Sequence, residues 1–306
     1  MREITWLLLA WPAAAQIAVT AEQATELRQL AANAPKLMLE RAELPVGLPM
    51  EMVSSVATDG KGTFYLLQRG LRSEPVIAVD GRGRVLRSWG RGLYKIPHSI
   101  RVDRSGDVWT TDAASSMVYR FSKEGKKTLE IAVGEIPEGR REFRGTTDIA
   151  FGPNGRVFIS DGYGNNRVLV YDAKGKRVRQ WGEKGIEAGQ FHLPHGIAID
   201  ERNIVYVADR ENGRIQRFDL SGKFLGMWTN LGKTFSLSLQ GGALWIGTQP
   251  PDEPNGAPGW LMKVDRDTGR VLGAVESTGH HSVAVTADGE LLTGTRPDKV
   301  LWFRRK

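Results

Sequence analysis

Three segments of this chain repeat one pattern and decide its fold: PHSIRVDRSG (97–106), PHGIAIDERN (194–203) and HHSVAVTADG (280–289). Each segment has a histidine at the same place, and these histidines are His98, His195 and His281. They are 97 and 86 residues apart, which is close to two repeat lengths in each case. The histidines therefore fall in every second copy of an internal repeat.

The remaining copies align when the histidine is taken as position zero. The residues at position zero are Ser54, His98, Thr147, His195, Phe235 and His281. Eight residues later five copies have a turn residue: Gly62, Gly106, Gly155, Asn203 and Gly289. In the fifth and weakest copy the turn glycines, Gly241 and Gly242, come six and seven residues after position zero. Fourteen residues after position zero lie Gln68, Asp112, Asp161, Asp209, Gln249 and Thr295. Six copies with a period of about 45 residues predict a six-bladed β-propeller.

Local pattern and composition agree with an all-β domain. Runs such as VYVAD (205–209) and IQRFD (215–219) have the length and apolar character of strands and are bounded by turn residues. The chain has no cysteine, which excludes disulfides and thiolate metal ligands. Its net charge of +7 comes from basic residues scattered in turns. Because no basic stripe interleaved with aromatics is found, a nucleic-acid partner is not predicted.

The first residues predict export. In residues 1–15, MREITWLLLAWPAAA, Arg2 precedes an apolar run that ends in Ala13–Ala15, a small-residue cleavage pattern. The run is shorter than the ~20 residues that a membrane span needs. We therefore expect a cleaved signal peptide and a periplasmic or secreted protein, the alternative being an N-terminus that stays attached.

The rest of the chain divides into a helical segment and the propeller. Residues 16–35 are predicted to contain a short amphipathic helix with Thr20 as its N-cap. Residues 36–306 form the predicted propeller. The sixth copy, 279–306, stops after three strands, so the lone strand predicted at 36–45 is expected to supply the fourth and close the ring.

The repeat geometry also predicts a site. Position zero and position fourteen lie at the same end of a blade hairpin, and shortly after position fourteen come Arg69, Arg210, Arg296 and Tyr163. Three imidazoles that converge with an open fourth position suit a catalytic Zn²⁺ or another divalent metal. Arginines bind carboxylates, so we expect a small-molecule or peptide substrate with an anionic group. A tyrosine beside a dication and arginines is expected to ionise below its usual pKa of about 10 and to act as a base.

Other polar residues carry simpler expectations. Neither His192 nor His280 is at position zero, and both are expected in solvent or behind the metal ligands. The Pro- and Gly-rich loop 248–260 borders the cleft or is an ordinary connection. The aspartates at position fourteen are expected to accept hydrogen bonds from turn N–H groups: Asp112, Asp161 and Asp209.

Several motifs resemble a known family: QRG (68–70), IPHS (96–99), SDGYGNNR (160–167), LPHG (193–196) and ADRENGRIQ (208–216). The repeats are similar to NHL repeats. Across roughly residues 46–300, and most densely in 145–220, the chain resembles the lyase half of the peptidylglycine α-amidating enzyme, the peptidyl-α-hydroxyglycine α-amidating lyase.

The resemblance implies a fold and a reaction. The family is a six-bladed propeller with a zinc ion held by three histidines, and it cleaves the N–Cα bond of a peptidyl-α-hydroxyglycine to give an amide and glyoxylate. Carried over residue by residue, the site consists of the zinc ligands His98, His195 and His281, the base Tyr163, and the active-site arginines Arg69 and Arg210.

The resemblance also implies a calcium site, from which this chain departs. The family's last histidine is followed by an aspartate directed toward a structural calcium, whose other ligands are backbone carbonyls that match Val56 and Ile100. Here Ser282 follows His281. A neutral hydroxyl is a poor ligand for a hard dication, so calcium is disfavoured.

Two other functions fit a propeller of this kind. One is a non-catalytic NHL scaffold that binds a protein or glycan on its channel face. The other is a metal-dependent lactone hydrolase, a class that prefers carboxylate and amide ligands, against which the three-histidine set counts. The lyase reaction is the principal hypothesis.

Overall fold

The described residues fold into six four-stranded antiparallel sheets. In five of these sheets the strands run in sequence order from the inside outward, and in the sixth the outermost strand comes from the start of the chain. The structure is a computed structural model that describes residues 13–134, 142–295 and 298–306. The first strands of neighbouring blades contact one another around a central channel. The predicted all-β six-bladed propeller with a short N-terminal helix is confirmed.

The first three blades share one layout, in which the strands follow one another from the channel outward. Blade 1 comprises β2–β5: Val53–Thr58, Thr63–Gln68, Val76–Asp80 and Val85–Trp89. Blade 2 comprises β6–β9: Pro97–Val102, Val108–Asp112, Met117–Phe121 and Lys127–Ala132. Blade 3 comprises β10–β13: Asp148–Phe151, Val157–Asp161, Arg167–Tyr171 and Arg177–Trp181.

The next three blades complete the ring. Blade 4 comprises β14–β17: Pro194–Ile199, Val205–Asp209, Arg214–Phe218 and Phe224–Trp228. Blade 5 comprises β18–β21: Lys233–Gln240, Ala243–Gln249, Gly259–Asp265 and Val271–Ser277. Blade 6 comprises β22–β24 and β1: Ala284–Val285, Leu291–Gly294, Val300–Arg305 and Leu39–Glu43. Short 3-10 helices span Pro153–Gly155 and Arg210–Asn212.

The hydrophobic core is divided into six clusters, and each cluster lies between two neighbouring blades. Successive side chains of a strand point to opposite faces, so one strand serves two clusters. In β3, Phe64 and Leu66 pack toward blade 6, whereas Tyr65 and Leu67 pack toward blade 2. A second strand buried on both faces needs a continuous apolar run, and this explains sequences such as VYVAD.

The ring closes through both ends of the propeller sequence. Strand β1 pairs antiparallel with β24, with Leu39 opposite Arg305 and Glu43 opposite Leu301. It is therefore the outermost strand of blade 6, the position expected from the sequence for residues 36–45. Joining distant segments in one sheet makes the closure of the ring depend on both of them.

The helix α1 spans Ala13–Asn33 and packs on the core between blades 4 and 5, where Leu27 is fully buried. Its Arg28 donates two hydrogen bonds of 2.9 Å to Asp252 in the loop between β19 and β20. The sequence prediction that Thr20 caps the helix is wrong, because Thr20 lies inside it. The Ala-rich residues before Thr20 have high helix propensity and extend the helix toward the N-terminus.

Two predictions concern residues outside the described ranges. Most of the export signal expected at 1–15 lies in residues 1–12, and Arg296 also lies outside the residues that the structure describes. Among residues 13–134, 142–295 and 298–306, no helix is both long enough and apolar enough to cross a membrane.

Candidate metal centre and active site

Three imidazole rings meet in the channel. The ring centroids of His98, His195 and His281 form a nearly equilateral triangle with sides of 4.9, 4.8 and 4.9 Å. One ring nitrogen of each residue lies within 4.8 Å of the others. His98 and His195 are 1% and 2% exposed. The alternate copies of the repeat thus bring their histidines to one point, as their spacing predicts.

Local irregularity in the first strands aims two of these side chains. The ladder between β6 and β7 shifts register between Pro97 and Ile100, and the ladder between β14 and β15 shifts between Pro194 and Ile197. His98 and His195 lie inside these shifts. Bulges of this kind turn a side chain away from the regular alternation of a strand.

Each histidine is held by a backbone carbonyl of the following blade. His98 Nδ1 donates to Thr147 O at 2.6 Å, and His195 Nδ1 donates to Phe235 O at 2.6 Å. His281 Nδ1 donates to Ser54 O at 2.8 Å. A carbonyl oxygen accepts and cannot donate, so this bonding assigns the proton to Nδ1. The lone pair of each neutral ring is then on Nε2, the arrangement that metal-ligating histidines need.

Burial keeps the three rings neutral. Desolvation lowers the pKa of His98 and His195 well below 6.5, and it lowers the pKa of His281 to about 3. The guanidinium group of Arg210 also lowers the pKa of all three rings, and that of Arg69 lowers the pKa of His98 and His281. Neutral imidazoles are the protonation state in which histidine binds metals.

Tyr163 lies against two of the histidines. It follows β11 in blade 3, and its Oη is 3.0 Å from His98 Nε2 and 3.2 Å from His195 Nε2. Burial raises the pKa of the phenol, while Arg210 and Arg69 lower it. The protein groups alone thus leave the pKa above its usual value, because desolvation outweighs the two arginines, whereas the sequence expectation concerned a tyrosine that also lies beside a bound dication.

Two arginines line a cavity next to the histidine cluster. Arg69 donates from Nε to Pro97 O at 3.0 Å, and its guanidinium carbon is 5.2 Å from the centroid of the Phe143 ring. Arg210 opens the 3-10 helix Arg210–Asn212, is 5% exposed, and is 4.8 Å from the centroid of the Phe235 ring. Both side chains are therefore fixed by packing on aromatic rings.

A cavity of about 630 Å³ connects these groups. Its lining includes Arg69, Tyr163, Arg210, Phe235 and His281. The loop between β19 and β20 contributes Asn255 and Gly256, so this long loop borders the cleft. Small-molecule sites are typically cavities of this size with a few convergent polar groups.

The other polar residues singled out from sequence have identifiable partners. Asp112 accepts from the N–H groups of Ala114 and Ser115, and Asp209 accepts from His192 N. Asp161 forms an ion pair with Arg167 at 3.0 Å. These bonds secure the turns of each blade.

His280 lies inside the protein. It is 3% exposed, and its Nε2 bonds Gln249 Oε1 at 3.0 Å. His192 is half-buried. Neither residue belongs to the cluster of three histidines.

Known proteins agree with this architecture. A family model described as a 6-bladed beta-propeller (DUF5128) matches residues 143–232. The Caenorhabditis elegans protein named "Probable peptidyl-alpha-hydroxyglycine alpha-amidating lyase pgal-1" is 31% identical over 256 residues, which cover 77% of this chain and 71% of that protein. The chain belongs to the peptidyl-α-hydroxyglycine α-amidating lyase family. It is accordingly a lyase-like enzyme.

Other relatives align with different fractions of this chain and of their own length. Drosophila melanogaster peptidyl-alpha-hydroxyglycine alpha-amidating lyase 1 is 31% identical over 76% of this chain and 48% of its own length. The Mus musculus peptidyl-glycine alpha-amidating monooxygenase is 35% identical over 52% of this chain and 18% of its own length. The chain therefore spans less than half of each of these two relatives.

Solved structures support the fold alone. A streptogramin B lyase structure aligns with a TM-score of 0.64 and 15% identity, covering 88% of this chain and 98% of that one. A putative gluconolactonase aligns with a TM-score of 0.62 and 14% identity, covering 89% and 96%. At such identities these likenesses concern the propeller and not its chemistry.

The calcium site that the lyase family implies does not fit these residues. Ser282 Oγ accepts from Val56 N at 3.0 Å and donates to Val56 O at 3.3 Å. This hydroxyl is therefore already hydrogen-bonded to the backbone of β2. The Ile100 N–H donates to Ser55 Oγ at 3.1 Å. The donor set around Val56 and Ile100 is thus serine hydroxyls and backbone groups. The carboxylate of this region, Asp148, is already paired with Arg101, so it does not supply the free negative charge that Ca²⁺ sites use.

The groups that hold the histidines were not predicted from the sequence. The three carbonyl acceptors belong to the residues at position zero in the odd blades: Ser54, Thr147 and Phe235. Five of the six residues that follow position zero are polar and form a belt behind the histidines: Ser55, Ser99, Asp148, Ser236 and Ser282. Both sets occupy fixed positions of the repeat, so the alignment of copies gives their places in the chain but not the contacts that they make.

Proposed function

We propose that this protein is a zinc-dependent lyase that cleaves the N–Cα bond of a peptidyl-α-hydroxyglycine or related carbinolamide, releasing an amide and glyoxylate. The observation that carries the proposal is a cluster of three neutral imidazoles that adjoins one cavity: His281, Tyr163, Arg69 and Arg210 line the cavity, and Tyr163 Oη lies against His98 and His195. Membership of the lyase family supports the same reaction.

The histidines fit a zinc ion. Their nitrogens lie within 4.8 Å of one another, so each would move by less than about 1 Å to reach a zinc–nitrogen distance of about 2.0–2.1 Å. The carbonyl contacts at Nδ1 fix the tautomer that zinc requires. When bound to these histidines, the cation would supply a Lewis acid.

Arg69 and Arg210 bind the carboxylate of the substrate. Both line the cavity that contains Tyr163 and His281, and each guanidinium is stacked on an aromatic ring. Arginine remains charged at physiological pH and binds carboxylates through two parallel hydrogen bonds. The arginines thereby orient the α-carbon of the substrate toward Tyr163.

Tyr163 moves the proton. Its phenolate Oη accepts the proton of the substrate hydroxyl, and the O–H electron pair forms the carbonyl of glyoxylate. The electrons of the N–Cα bond pass to the amide nitrogen, which takes the proton back from Tyr163 Oη and leaves as the amide, so that the phenolate is regenerated. Arg210 and Arg69 lower the pKa of Tyr163, but burial raises it by more, so the phenolate needs the further stabilisation that a bound cation would supply.

The test is metal analysis together with a glyoxylate assay on α-hydroxyhippurate. We expect about one zinc per chain and glyoxylate release in the wild type. The His98→Ala variant should lose both, whereas His192→Ala, which removes a histidine outside the cluster, should retain both. Stoichiometric zinc without glyoxylate release would reject the reaction, and glyoxylate release from metal-free protein would reject the metal dependence.

We also infer export from residues 1–15. The single arginine, the apolar run and the three alanines support it. Expression of the full sequence in a bacterial host should give envelope-localised protein whose intact mass lacks about 15 residues. Cytoplasmic protein of full mass would contradict export.

A further inference from the structure

One carboxylate in the polar belt behind the histidines reaches three blades. Asp148 is the residue after position zero in blade 3 and is 4% exposed. Its Oδ1 accepts from Arg101 Nε at 2.9 Å and from the hydroxyl of Ser99, both in blade 2. Its Oδ2 accepts from Arg101 Nη2 and, at 3.2 Å, from the N–H of Ile197 in blade 4.

These contacts adjoin two of the proposed metal ligands. Ser99 directly follows His98, and Ile197 is two residues after His195. Thr147, which precedes Asp148, accepts the hydrogen bond from His98 Nδ1. A single short segment of blade 3 therefore fixes both the orientation of His98 and the separation of the strands that carry His98 and His195.

The corresponding residues of the other odd blades are neutral. In blade 1, Ser55 Oγ bonds Ser282 Oγ at 3.0 Å and accepts from Ile100 N at 3.1 Å. In blade 5, Ser236 Oγ donates to His280 O at 3.0 Å. Blade 3 alone among the odd blades has a carboxylate at this position of the sequence, and the guanidinium of Arg101 offsets its charge.

We infer that Asp148, together with Arg101, is a positioning residue that sets the distance and orientation of His98 and His195 for metal binding. The inference deepens the proposed function, since it depends on the histidines binding a metal. Charge-assisted hydrogen bonds are shorter and stronger than neutral ones, so this bridge is stiffer than its serine counterparts. The residues that orient metal ligands typically change metal affinity by about 10–100-fold when they are replaced.

The test compares two buried aspartates. Asp200 is also 4% exposed and paired with an arginine, Arg202, at 2.9 Å, but it lies in the turn between β14 and β15. Asp148→Asn and Asp200→Asn each remove one charge from a pair of this kind. Zinc affinity by chelator competition, the visible spectrum of the Co²⁺ form and thermal unfolding would be measured for both.

We expect Asp148→Asn to weaken zinc binding by about 10–100-fold and to change the Co²⁺ spectrum, while Asp200→Asn stays within about threefold of the wild type. Similar thermal destabilisation of both variants would separate general stability from positioning. Equal zinc affinities and Co²⁺ spectra in the two variants would overturn the inference.

A second variant covers misfolding. If Asp148→Asn does not fold, Arg101→Gln carries the same test, since the Arg101 side chain is 17% exposed and its loss leaves the backbone contacts of Asp148 in place. Zinc binding as in the wild type would then overturn the inference. A wild-type protein that binds zinc but releases no glyoxylate would reject the proposed reaction without affecting the positioning result, because affinity is the readout.

Discussion

The even and odd blades of this propeller do different work at the same repeat position. Blades 2, 4 and 6 place imidazoles in the channel from position zero: His98, His195 and His281. Blades 1, 3 and 5 offer from that position a backbone carbonyl, which accepts the Nδ1 proton of the preceding blade's histidine. Ligand and support therefore alternate around the ring.

The difference shows which positions are constrained by side-chain identity. A histidine in an even blade cannot be exchanged without losing its ring nitrogen. The support in an odd blade comes from the main chain, so residues as different as Ser54, Thr147 and Phe235 perform it. Substitutions at one repeat position should consequently have opposite severity in the two sets of blades.

The largest contrast is expected across one hydrogen bond, the one between His281 and Ser54. His281→Ala removes a proposed ligand and should reduce kcat/KM by on the order of 10³–10⁴-fold, with loss of bound zinc, because Lewis-acid stabilisation is worth several kcal/mol. Ser54→Ala keeps the carbonyl that accepts from His281 and should stay within about threefold. The measurements are zinc content and steady-state kinetics.

Equal losses in the His281→Ala and Ser54→Ala variants would break the comparison. So would a fully metallated His281→Ala protein, because the even blades would then not be the source of the ligands.

The next effect concerns Tyr163, an odd-blade residue that we propose as the base. Tyr163→Phe removes the phenol Oη beside His98 and His195. We expect kcat to fall by about 100- to 1,000-fold, the usual contribution of a general base, with zinc affinity unchanged. Kinetics and chelator competition measure the two quantities separately. A variant with normal kcat would assign the proton transfer to another group.

Acid should destabilise the metal-free protein through the even blades. Burial lowers the pKa of His98 and His195 well below 6.5 and of His281 to about 3, so below pH 6.5 the unfolded chain binds protons that the folded chain does not. Between pH 6.5 and its lower pKa in the folded state, each ring reduces the free energy of unfolding by about 1.4 kcal/mol for every unit by which the pH falls. Well above pH 6.5 the ring is neutral in both states and has no effect on stability.

Urea unfolding of chelator-treated protein at pH 7.5, 6.5 and 5.5 measures this slope. The His281→Ala variant should have a shallower slope than the wild type, since one buried ring is gone. Identical slopes would mean that other groups dominate the acid response.

The smallest effect is expected at a neutral support. Ser55→Ala in blade 1 removes the hydroxyl that accepts from Ile100 N and bonds Ser282. Leaving a buried N–H without its acceptor costs about 1–3 kcal/mol of stability. Zinc affinity should change by less than about fivefold, less than for Asp148→Asn. A larger effect on affinity than that of Asp148→Asn would reverse the ranking of the supports.

Much of the fold was predictable because each blade repeats its turn chemistry. In five of the six copies the residue eight positions after zero has a positive φ, for example 98° at Gly62 and 65° at Asn203, which glycine and asparagine tolerate. The start of α1 was not predictable from its caps, because the apparent cap Thr20 lies in a continuous helix. Local signals mark turns better than they mark the length of a helix.

The site divides in the same way. Histidines at one repeat position predict that their rings converge. Tyr163, Arg69 and Arg210 are predicted near those rings because each comes fifteen or sixteen residues after position zero of its own blade. Carbonyl supports leave no trace in residue type, because every residue has one. The bridge at Asp148 became visible only when the partners from blades 2 and 4 were seen around it.

Alternation of this kind makes blade number a functional quantity. Six is the smallest ring in which three ligand-bearing wedges can each be followed by a supporting one. Insertion of one further blade would place two of the histidines farther apart around the ring than the other pairs. One imidazole would then no longer have equivalent neighbours. Loss or gain of one blade would therefore be expected to disrupt the proposed metal centre, because the three histidines would no longer be equivalent.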